Sequence, residues 1–408
     1  MLETLAYIMA GVALGTLTGL IPGLHVNNLT PILIALTAGA STEMVALIVA
    51  MSITNAFISY IPSTFLAAPE EGTELSVLPA HRLLLEGRGY QAIRLTAKGC
   101  LGGVMLSTAL ALPFMPAIGP VYEFIKPQMH WLLLAVTVVM ISLERSWNKI
   151  IWALVIFLVS GLLGLFSLDS GIIPADTALL PLLSGLFGAS VLLPSIINCS
   201  SLPEQHTDEE PVKIPTGLKP VCAGTAAGIL TGIVPSIGPS QGTVLAQLVA
   251  RSSGTEEFLL SVSSVNTSKA IFSFIAIFAI GRARSGAAIA VEKVMNAGDI
   301  TPLLIIGVAL LAGGVAAIVQ LQLGKLAARH MDRLPYRGLG VAVMGFISGL
   351  TLYCSGLIGI LVLAAATAVG TLPALTKVKR THCMGVLMLP CMLFFAGLKN
   401  SAFAALGL

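Results

Sequence analysis

Two stretches of the sequence combine helix-breaking residues with hydrogen-bonding side chains: residues 18–28 read TGLIPGLHVNN and residues 231–242 read TGIVPSIGPSQG. Proline removes a backbone hydrogen bond, and glycine permits backbone angles that are closed to other residues. A helix that restarts after such a break presents free N–H groups and a positive dipole end, which suit an anion. Each break predicts half of an anion site; the simpler alternative is a proline kink with local caps. The positions assigned to substrate at the breaks are Pro22, Gly23, His25, Asn27, Asn28, Pro235, Ser236, Gly238, Ser240 and Gln241.

A polar stripe follows each break within an otherwise apolar segment, and it contains Asn55 in the first case and Asn266 with Lys269 in the second. We assign these three residues to the substrate as well. Lys269 is the only charged residue well inside its segment, where a lysine costs about 3 kcal/mol on membrane insertion. We expect it to anchor an anion. The alternative is a lysine that extends to the membrane surface or pairs with Glu43 or Glu256.

Oxygen atoms at the same breaks suit a coupling cation. Unwound carbonyl groups near Gly23 and Gly238, together with the hydroxyls of Thr18 and Thr231, would coordinate Na⁺, and a proton is the alternative ion. The six cysteines form no CxxC pair and have no histidine at ligand spacing, so they predict no metal site. No cofactor is expected beyond the coupling ion.

The elements that must position these residues are membrane helices. Of 408 residues, 56% are hydrophobic and 10% are charged, whereas soluble domains carry about 25% charged residues. The net charge of +3 gives no footprint for a nucleic-acid partner, and the absence of strict alternation argues against a β-barrel. Apolar segments of near-spanning length lie around residues 3–22, 43–67, 97–118, 129–144, 150–168, 177–197, 220–235, 256–280, 301–323, 338–354, 356–374 and 383–398. Two shorter pieces, 27–39 and 240–250, are predicted half-helices.

The two breaks belong to an internal repeat. Residues 10–23 (AGVALGTLTGLIPG) and 223–236 (AGTAAGILTGIVPS) are identical at eight of fourteen positions with a constant offset of 213. The same offset pairs Glu43 with Glu256. Spans rich in glycine and alanine resemble one another by composition, but the shared Leu-Thr-Gly-apolar-apolar-Pro string indicates duplication.

Charge placement predicts how the two copies lie in the membrane. Short cytoplasmic loops are rich in Lys and Arg, and the basic loops 70–98, 145–149, 325–337 and 377–380 share one side if each half crosses about five times. The basic loop 282–299 then falls on the other side. We expect an all-α polytopic membrane protein made of two inverted repeats with broken or re-entrant half-helices, a pattern typical of secondary transporters. The first repeat is assigned to 1–200, a polar linker to 201–218 and the second repeat to 219–408.

At these motifs the sequence resembles the large membrane permease subunit of the tripartite tricarboxylate transporter family. That family carries a glycine-rich break of the type G-x-x-x-G-x-x-P-G-x-G-P in each half. The first half matches it up to Gly23, whereas residues 25–28 (HVNN) depart from it, and Ser236 replaces a glycine in the second half. The other matching residues are Gly15, Gly19, Pro22, Gly228, Gly232, Pro235, Gly238, Pro239 and Gly242.

The resemblance implies a secondary transporter for a carboxylated metabolite, driven by an ion gradient. From the inverted repeats we expect it to work by alternating access, and we expect it to lie in a prokaryotic cell membrane. The resemblance also implies two partners, an extracytoplasmic binding protein that delivers substrate and a small membrane subunit. Whether the chain works with them, alone or as a homodimer stays open. The same anion site also fits a transporter of an anionic lipid such as a polyprenyl phosphate. An intramembrane enzyme is disfavoured, because the sequence has no HExxH motif and no pair of aspartates inside an apolar segment.

Overall fold

The computed structural model describes residues 2–21, 26, 30, 41–68, 72–144, 146–169, 171, 173, 175–197, 203–207, 218–234, 238–250, 254–295, 300–331 and 336–406. All regular secondary structure in these ranges is helical. The α-helices are α1 Leu2–Leu20, α2 Thr42–Ile58, α3 Tyr60–Phe65, α4 Val77–Leu85, α5 Gly89–Ile125, α6 Met129–Ser142, α7 Trp147–Asp169, α8 Ala175–Leu183, α9 Ser190–Ile197, α10 Leu218–Ile233, α11 Pro239–Ala250, α12 Thr255–Ile280, α13 Gly286–Met295, α14 Pro302–Met331, α15 Tyr336–Thr376, α16 Gly385–Phe395 and α17 Lys399–Leu406. Short 3₁₀ turns lie at Lys126–Gln128 and Arg380–Met384, and a π-helical segment lies at Ser184–Ala189.

The length and composition of the helices confirm an all-α polytopic membrane protein. Within the described residues, eight helical stretches are long and apolar enough to cross a membrane. α15 is two helices joined at Gly356, whose φ of 65° interrupts the helical backbone. The eight stretches are Leu2–Leu20, Thr42–Phe65, Gly89–Ser142, Trp147–Leu168, Thr177–Pro194, Thr255–Ile280, Pro302–His330 and Gly340–Thr376.

The duplicated sequence forms a duplicated helix pair. In α1, the glycines 11, 15 and 19 lie so close to α2 that an added Cβ would come nearer than 3.0 Å to Leu47, Met51 and Ile58 respectively. In α10, the glycines 224, 228 and 232 approach Ser261, Val265 and Phe272 of α12 in the same way. Small residues allow this close backbone approach, which dominates helix association in membranes.

The register of the second helix in each pair differs from the sequence-based pairing by one residue. The contacts of the glycines equate Leu47 with Ser261, Met51 with Val265 and Ile58 with Phe272, an offset of 214 rather than 213. The pairing of Glu43 with Glu256 is therefore wrong by one position in packing terms. The same register makes Asn55 the counterpart of Lys269, which the sequence alignment alone does not show.

Beyond the duplicated pair, each half contributes one long helix that packs against the opposite half: α5 from the first half and α14 from the second. α5 lies on α12, and its Gly99 and Gly103 approach Leu260 and Ser264. α14 lies on α2 in the corresponding way, and α5 and α14 also contact each other. Further along, α7 packs on α16, while α8, the π-helical segment and α9 pack on α15. The two halves therefore share one core instead of forming separate domains.

The predicted basic loops contain helices that the sequence analysis missed. The stretch 70–98 includes α4 and the start of α5, and α4 buries Val77, Leu83 and Leu84. The stretch 282–299 includes α13, which buries Ala287, Ala288, Ala290 and Val291. Because α4 contains Arg82 and α13 contains Lys293, the charge pattern indicated loops, and the buried apolar residues of these two helices were not recognised.

The described part of the predicted linker, residues 203–207, is attached to the first half. The amide nitrogen of Gln205 donates to the carbonyl of Leu84 at 3.0 Å, and its oxygen accepts from the Gly89 N–H at 2.9 Å. The His206 N–H donates to the carbonyl of Gly87 at 2.8 Å. These bonds cap the turn between α4 and α5.

Candidate functional site

The second break leads into a short helix, as predicted. α10 ends at Ile233, and α11 begins at Pro239 and runs for 12 residues. A helix of this length is about 18 Å long, shorter than a hydrocarbon core of about 30 Å. Its first turn presents N–H groups that no intrahelical acceptor satisfies. Ser240, the second residue of α11, is buried with 3% of its surface exposed.

A carboxylate from the first half lies at this helix start. The Ser240 hydroxyl donates to Oε2 of Glu74 at 2.9 Å, and the backbone N–H of Gly72 donates to the same oxygen at 2.8 Å. Glu74 is 3% exposed and belongs to the turn between α3 and α4. Because a donor from each half reaches the same carboxyl oxygen, this contact joins the two halves at the predicted anion position.

Gly72 permits that turn by its backbone and by its lack of a side chain. Its φ of +95° is rarely adopted by residues with a Cβ. An added Cβ would also collide with the side-chain amide of Asn266 from α12. Asn266 is buried, and its amide nitrogen lies 3.5 Å from the carbonyl oxygen of Ala56 on α2. The structure thus brings Asn266 and Ser240, two predicted site residues, to the same turn of the first half.

Tyr60 completes this cluster from α3. Its side chain is fully buried, and its hydroxyl lies close to the Asn266 side chain. The Tyr60 hydroxyl makes no hydrogen bond of acceptable geometry with any described group. A buried hydroxyl without a partner costs about 1–3 kcal/mol. We call Tyr60, Gly72, Glu74, Ser240 and Asn266 the inter-repeat cluster.

The two threonines predicted to bind a cation make equivalent hydrogen bonds, one in each half of the chain. The Thr18 hydroxyl donates to the Gly15 carbonyl at 3.1 Å, and the Thr231 hydroxyl donates to the Gly228 carbonyl at 3.0 Å. Thr18 also accepts a hydrogen bond from Nδ2 of Asn55 at 3.2 Å. Both threonines are buried.

Lys269 lies one helical turn beyond Asn266 on α12, at the crossing with α10. An added Cβ on Gly232 would lie 3.0 Å from the Lys269 carbonyl oxygen. The lysine is partly buried. Glu256, a candidate partner for this lysine by sequence, contacts α5 and the residue before it: its Oε1 accepts from Nη2 of Arg88 at 3.0 Å and from Nε2 of Gln91 at 2.8 Å.

Seven of the predicted site residues lie outside the described residues: Pro22, Gly23, His25, Asn27, Asn28, Pro235 and Ser236. Gln241 lies in α11 by its backbone, and Gly238 is the residue before that helix. Val26 and Thr30 are helical and buried, and the Thr30 hydroxyl donates to the Val26 carbonyl. In the described part of the chain, no group of three or more His, Cys, Asp or Glu side chains is arranged to hold a metal ion.

Sequence reasoning missed Glu74, Gly72 and Tyr60. Glu74 follows Glu70 and Glu71 in an acidic run that is typical of a solvated loop. Its position two residues after a glycine and between two apolar stretches was the only available signal. Tyr60 had none, because aromatic residues are common in membrane helices.

The sequence profile described as the tripartite tricarboxylate transporter TctA family matches residues 5–385. The chain belongs to this family. The TctA-family chain is also similar to an uncharacterized protein, MJ1079, of Methanocaldococcus jannaschii, with 28% identity over 404 residues that cover 96% of this chain and 98% of the relative. No solved protein structure matched the chain.

Family membership and the membrane-length helices agree on the class of protein. The family consists of tripartite tricarboxylate transporter permeases, and eight described stretches of this chain can cross a bilayer. The TctA-family chain is therefore a multi-pass membrane transport protein. The resemblance stated from the glycine-rich breaks is confirmed over nearly the whole chain.

Proposed function

We propose that the chain is the translocating permease for a small organic anion, a carboxylate, which binds where the second break meets the first half of the chain. The inter-repeat cluster supports this proposal most directly. Ser240 and Asn266 from one half and Gly72 and Glu74 from the other lie together among helices of membrane-spanning length. Polar groups inside a membrane are costly and usually mark a transport pathway.

Lys269 supplies the positive charge of this proposed site. It lies one turn from Asn266, and its counterpart in the first half is the neutral Asn55. The substrate carboxylate would be held by this ammonium group and by the start of α11, with Gln241 and Gly238 at the same helix start. Seven break residues outside the described part of the chain keep their predicted substrate role in this proposal: Pro22, Gly23, His25, Asn27, Asn28, Pro235 and Ser236.

We infer further that the two copies are inverted repeats that work by alternating access, coupled to Na⁺ or H⁺. The matching hydrogen bonds of Thr18 and Thr231 and the exchange of long helices between halves support a two-fold arrangement. Such an arrangement places a shared site between the repeats. The carbonyl groups of Gly23 and Gly238 would complete a Na⁺ site with the two threonine hydroxyls.

The proposed setting is a prokaryotic cell membrane. An extracytoplasmic binding protein and a small membrane subunit are the partners that the family suggests. Since a partner requirement would silence uptake by the purified chain, the primary test measures binding and substrate exchange as well as net uptake.

The test compares Lys269→Ala with Lys98→Ala, a matched change at an exposed lysine of α5. Purified variants are titrated with citrate and succinate by thermal shift, and exchange of labelled citrate is measured in proteoliposomes. We expect Lys269→Ala to weaken binding and exchange at least tenfold, Lys98→Ala to resemble the parent and Lys269→Arg to recover part of the loss. Equal behaviour of the two alanine variants would refute the role of Lys269.

Two further series of the same titration test which ion is coupled and whether the substrate is a carboxylate or an anionic lipid. Binding of citrate is compared in Na⁺ and in choline at fixed pH, and a water-soluble polyprenyl phosphate replaces citrate in a second series. A Na⁺-dependent gain in affinity supports the cation site. Stabilisation by the polyprenyl phosphate but by no carboxylate would overturn the proposal in favour of an anionic lipid.

A further inference from the structure

The inter-repeat cluster already holds one carboxylate at the position predicted for the substrate. Ser240 is the second residue of α11, so its hydroxyl lies in the first turn of that helix. The acceptor that it meets is Glu74 Oε2, which comes from the turn between α3 and α4. The position that the sequence predicts for an anion is thus filled from within the chain.

The surroundings of Glu74 are what a carboxylate ligand requires. An ionised carboxylate in a buried position is unstable unless hydrogen bonds and opposite charge replace its water. Oε2 receives the Gly72 N–H and the Ser240 hydroxyl, and the start of α11 adds the positive end of a helix dipole. Substrate carboxylates need the same donors, so Glu74 and substrate are chemically equivalent at this place.

A second observation shows that the cluster has an unused donor. The Tyr60 side chain is fully buried, its hydroxyl lies close to the Asn266 side chain, and this hydroxyl has no hydrogen-bond partner of acceptable geometry among the described groups. Because buried hydroxyls are nearly always paired, the unpaired Tyr60 hydroxyl beside Asn266 suits one further acceptor. A substrate carboxylate has two oxygens and can accept from Ser240 and Tyr60 together.

We propose that Glu74 is an internal competitor for the substrate: its carboxylate occupies the substrate-carboxylate position at the start of α11, and an incoming carboxylate displaces it and takes the hydroxyls of Ser240 and Tyr60. This inference rests on the proposed function as a carboxylate permease. It makes Glu74 a residue that sets affinity and favours substrates able to outcompete a carboxylate. Neutral molecules and weakly accepting anions cannot displace it.

The competition predicts substitutions with effects of opposite sign. Glu74→Gln removes the negative charge and keeps the side chain's size, so citrate no longer competes with a carboxylate. We expect its dissociation constant to fall about tenfold, which corresponds to about 1.4 kcal/mol. Ser240→Ala and Tyr60→Phe each remove a donor, so we expect each to weaken citrate binding several-fold.

The experiment is calorimetric titration of the purified full chain with citrate, with chloride and phosphate as anion controls. The matched control is Glu144→Gln, which neutralises another buried carboxylate that binds Lys379 and His382 instead. The Ser240→Ala/Glu74→Gln double variant separates competition from general charge effects. If Glu74 competes for Ser240, its replacement improves affinity less in the alanine background than in the parent.

Several results would overturn the inference. An unchanged or weaker affinity for citrate in a folded Glu74→Gln variant contradicts competition and assigns Glu74 a structural role. An equal gain in Glu144→Gln shows that only net charge matters. If Glu74→Gln does not fold, Glu74→Asp serves, because its shorter side chain weakens the contact with Ser240 and should still improve affinity.

The outcome also separates this inference from the proposed function. If the parent chain binds and exchanges citrate but the Glu74 variants show no gain, only the competitor role fails. If neither the parent nor any Glu74 variant binds a carboxylate, the carboxylate permease itself is refuted.

Discussion

At the scale of single residues, the two copies of the duplicated helix pair differ in charge at one equivalent position. Asn55 and Lys269 occupy equivalent positions in the packing, yet one is a neutral amide and the other an ammonium group. Asn55 uses its amide to donate to Thr18 at 3.2 Å. The repeat therefore supplies one side chain that holds a threonine in place and one that supplies a positive charge.

The bond between Asn55 and Thr18 gives a residue-scale prediction. Polar contacts between membrane helices are worth about 0.6 kcal/mol on average, so a double-mutant cycle of Asn55→Ala and Thr18→Val should give a coupling energy of about 0.5–1 kcal/mol. Thermal or chemical unfolding in detergent measures it. Thr231→Val is the matched control, because it loses the same bond to a glycine carbonyl. Its combination with Asn55→Ala should be additive, and a coupling as large as that of Thr18 would contradict the assignment.

Residue types predicted much of the candidate site, whereas the other site residues could be recognised only from the tertiary structure. Thr18, Asn55, Ser240 and Asn266 stand out because they are polar residues in apolar segments, and the structure places each of them in a buried contact with another element or turn. Glu74 does not stand out, since it follows two other acids in a run that resembles a loop. Its burial depends on tertiary contacts, one of which is with Ser240, 166 residues away along the chain.

At the scale of helices, glycine faces determine which elements touch. Gly228 of α10 lies against α12, where an added Cβ would come within 2.6 Å of the Val265 carbonyl oxygen. Gly314 of α14 has nothing within 4 Å of such a Cβ. Gly228 is therefore in a close helix contact, whereas Gly314 has free space where a side chain would lie.

Alanine substitution at these two glycines gives an element-scale prediction. Gly228→Ala forces α10 away from α12, and overpacking of this kind costs about 1–3 kcal/mol. Gly314→Ala should leave stability unchanged or raise it by up to about 1 kcal/mol, because alanine is the better helix former. Unfolding of both variants in the same detergent measures the difference. Equal stability of the two would show that the α10–α12 contact is not tight.

A second element-scale contact ties the turn after α6 to the turn before α16. His382 is fully buried, and its Nε2 lies 3.0 Å from Oε1 of Glu144, which also accepts from the Lys379 N–H at 3.0 Å. Burial lowers the pKa of His382 below its ordinary 6.5, so the ring is neutral at pH 7 and donates. Burial alone would raise the pKa of Glu144, but the hydrogen bonds from Lys379 and His382 outweigh it and hold the pKa below 4.5.

These two shifts predict how stability depends on pH. Both groups bind a proton more readily in the unfolded chain, so their contribution is complete above about pH 6.5 and declines as the pH falls towards and below 4.5. The melting temperature of the parent should therefore fall more between pH 7.5 and pH 4.5 than that of a Glu144→Gln/His382→Gln variant, measured in one detergent and at one ionic strength. Parallel curves would show that other groups carry the pH dependence.

The long spans and the half-helix α11 were predictable from the sequence, whereas the short helices α4 and α13 were not. Segments such as 256–280 and 150–168 follow from length and hydropathy, and the structure reproduces them within a few residues. α4 contains Arg82 and α13 contains Lys293, so charge counting assigned both stretches to loops. Their buried faces become apparent only when α12 and α2 are packed against them.

At the scale of the whole molecule, the repeat does not form two independent domains. α5 lies on α12 and α14 lies on α2, so each half covers the small-residue faces of the other. The duplicated sequence predicted two units, and the alignment of glycines placed the helix pairs correctly. It could not predict the exchange of partners, because a sequence repeat carries no information about which copy a helix packs against.

This exchange predicts that neither half is stable alone and that the two halves assemble when made as separate chains. Residues 1–207 and 208–408, divided inside the linker, are co-expressed with a purification tag on the first piece only. We expect the second piece to co-purify in equal amount and the complex to elute as a single species in detergent. Expressed singly, each piece exposes the faces that α5 or α14 normally covers, and we expect it to aggregate or to be degraded. A first piece that is monodisperse and resists proteolysis by itself would show that the shared core between the halves is not needed for folding.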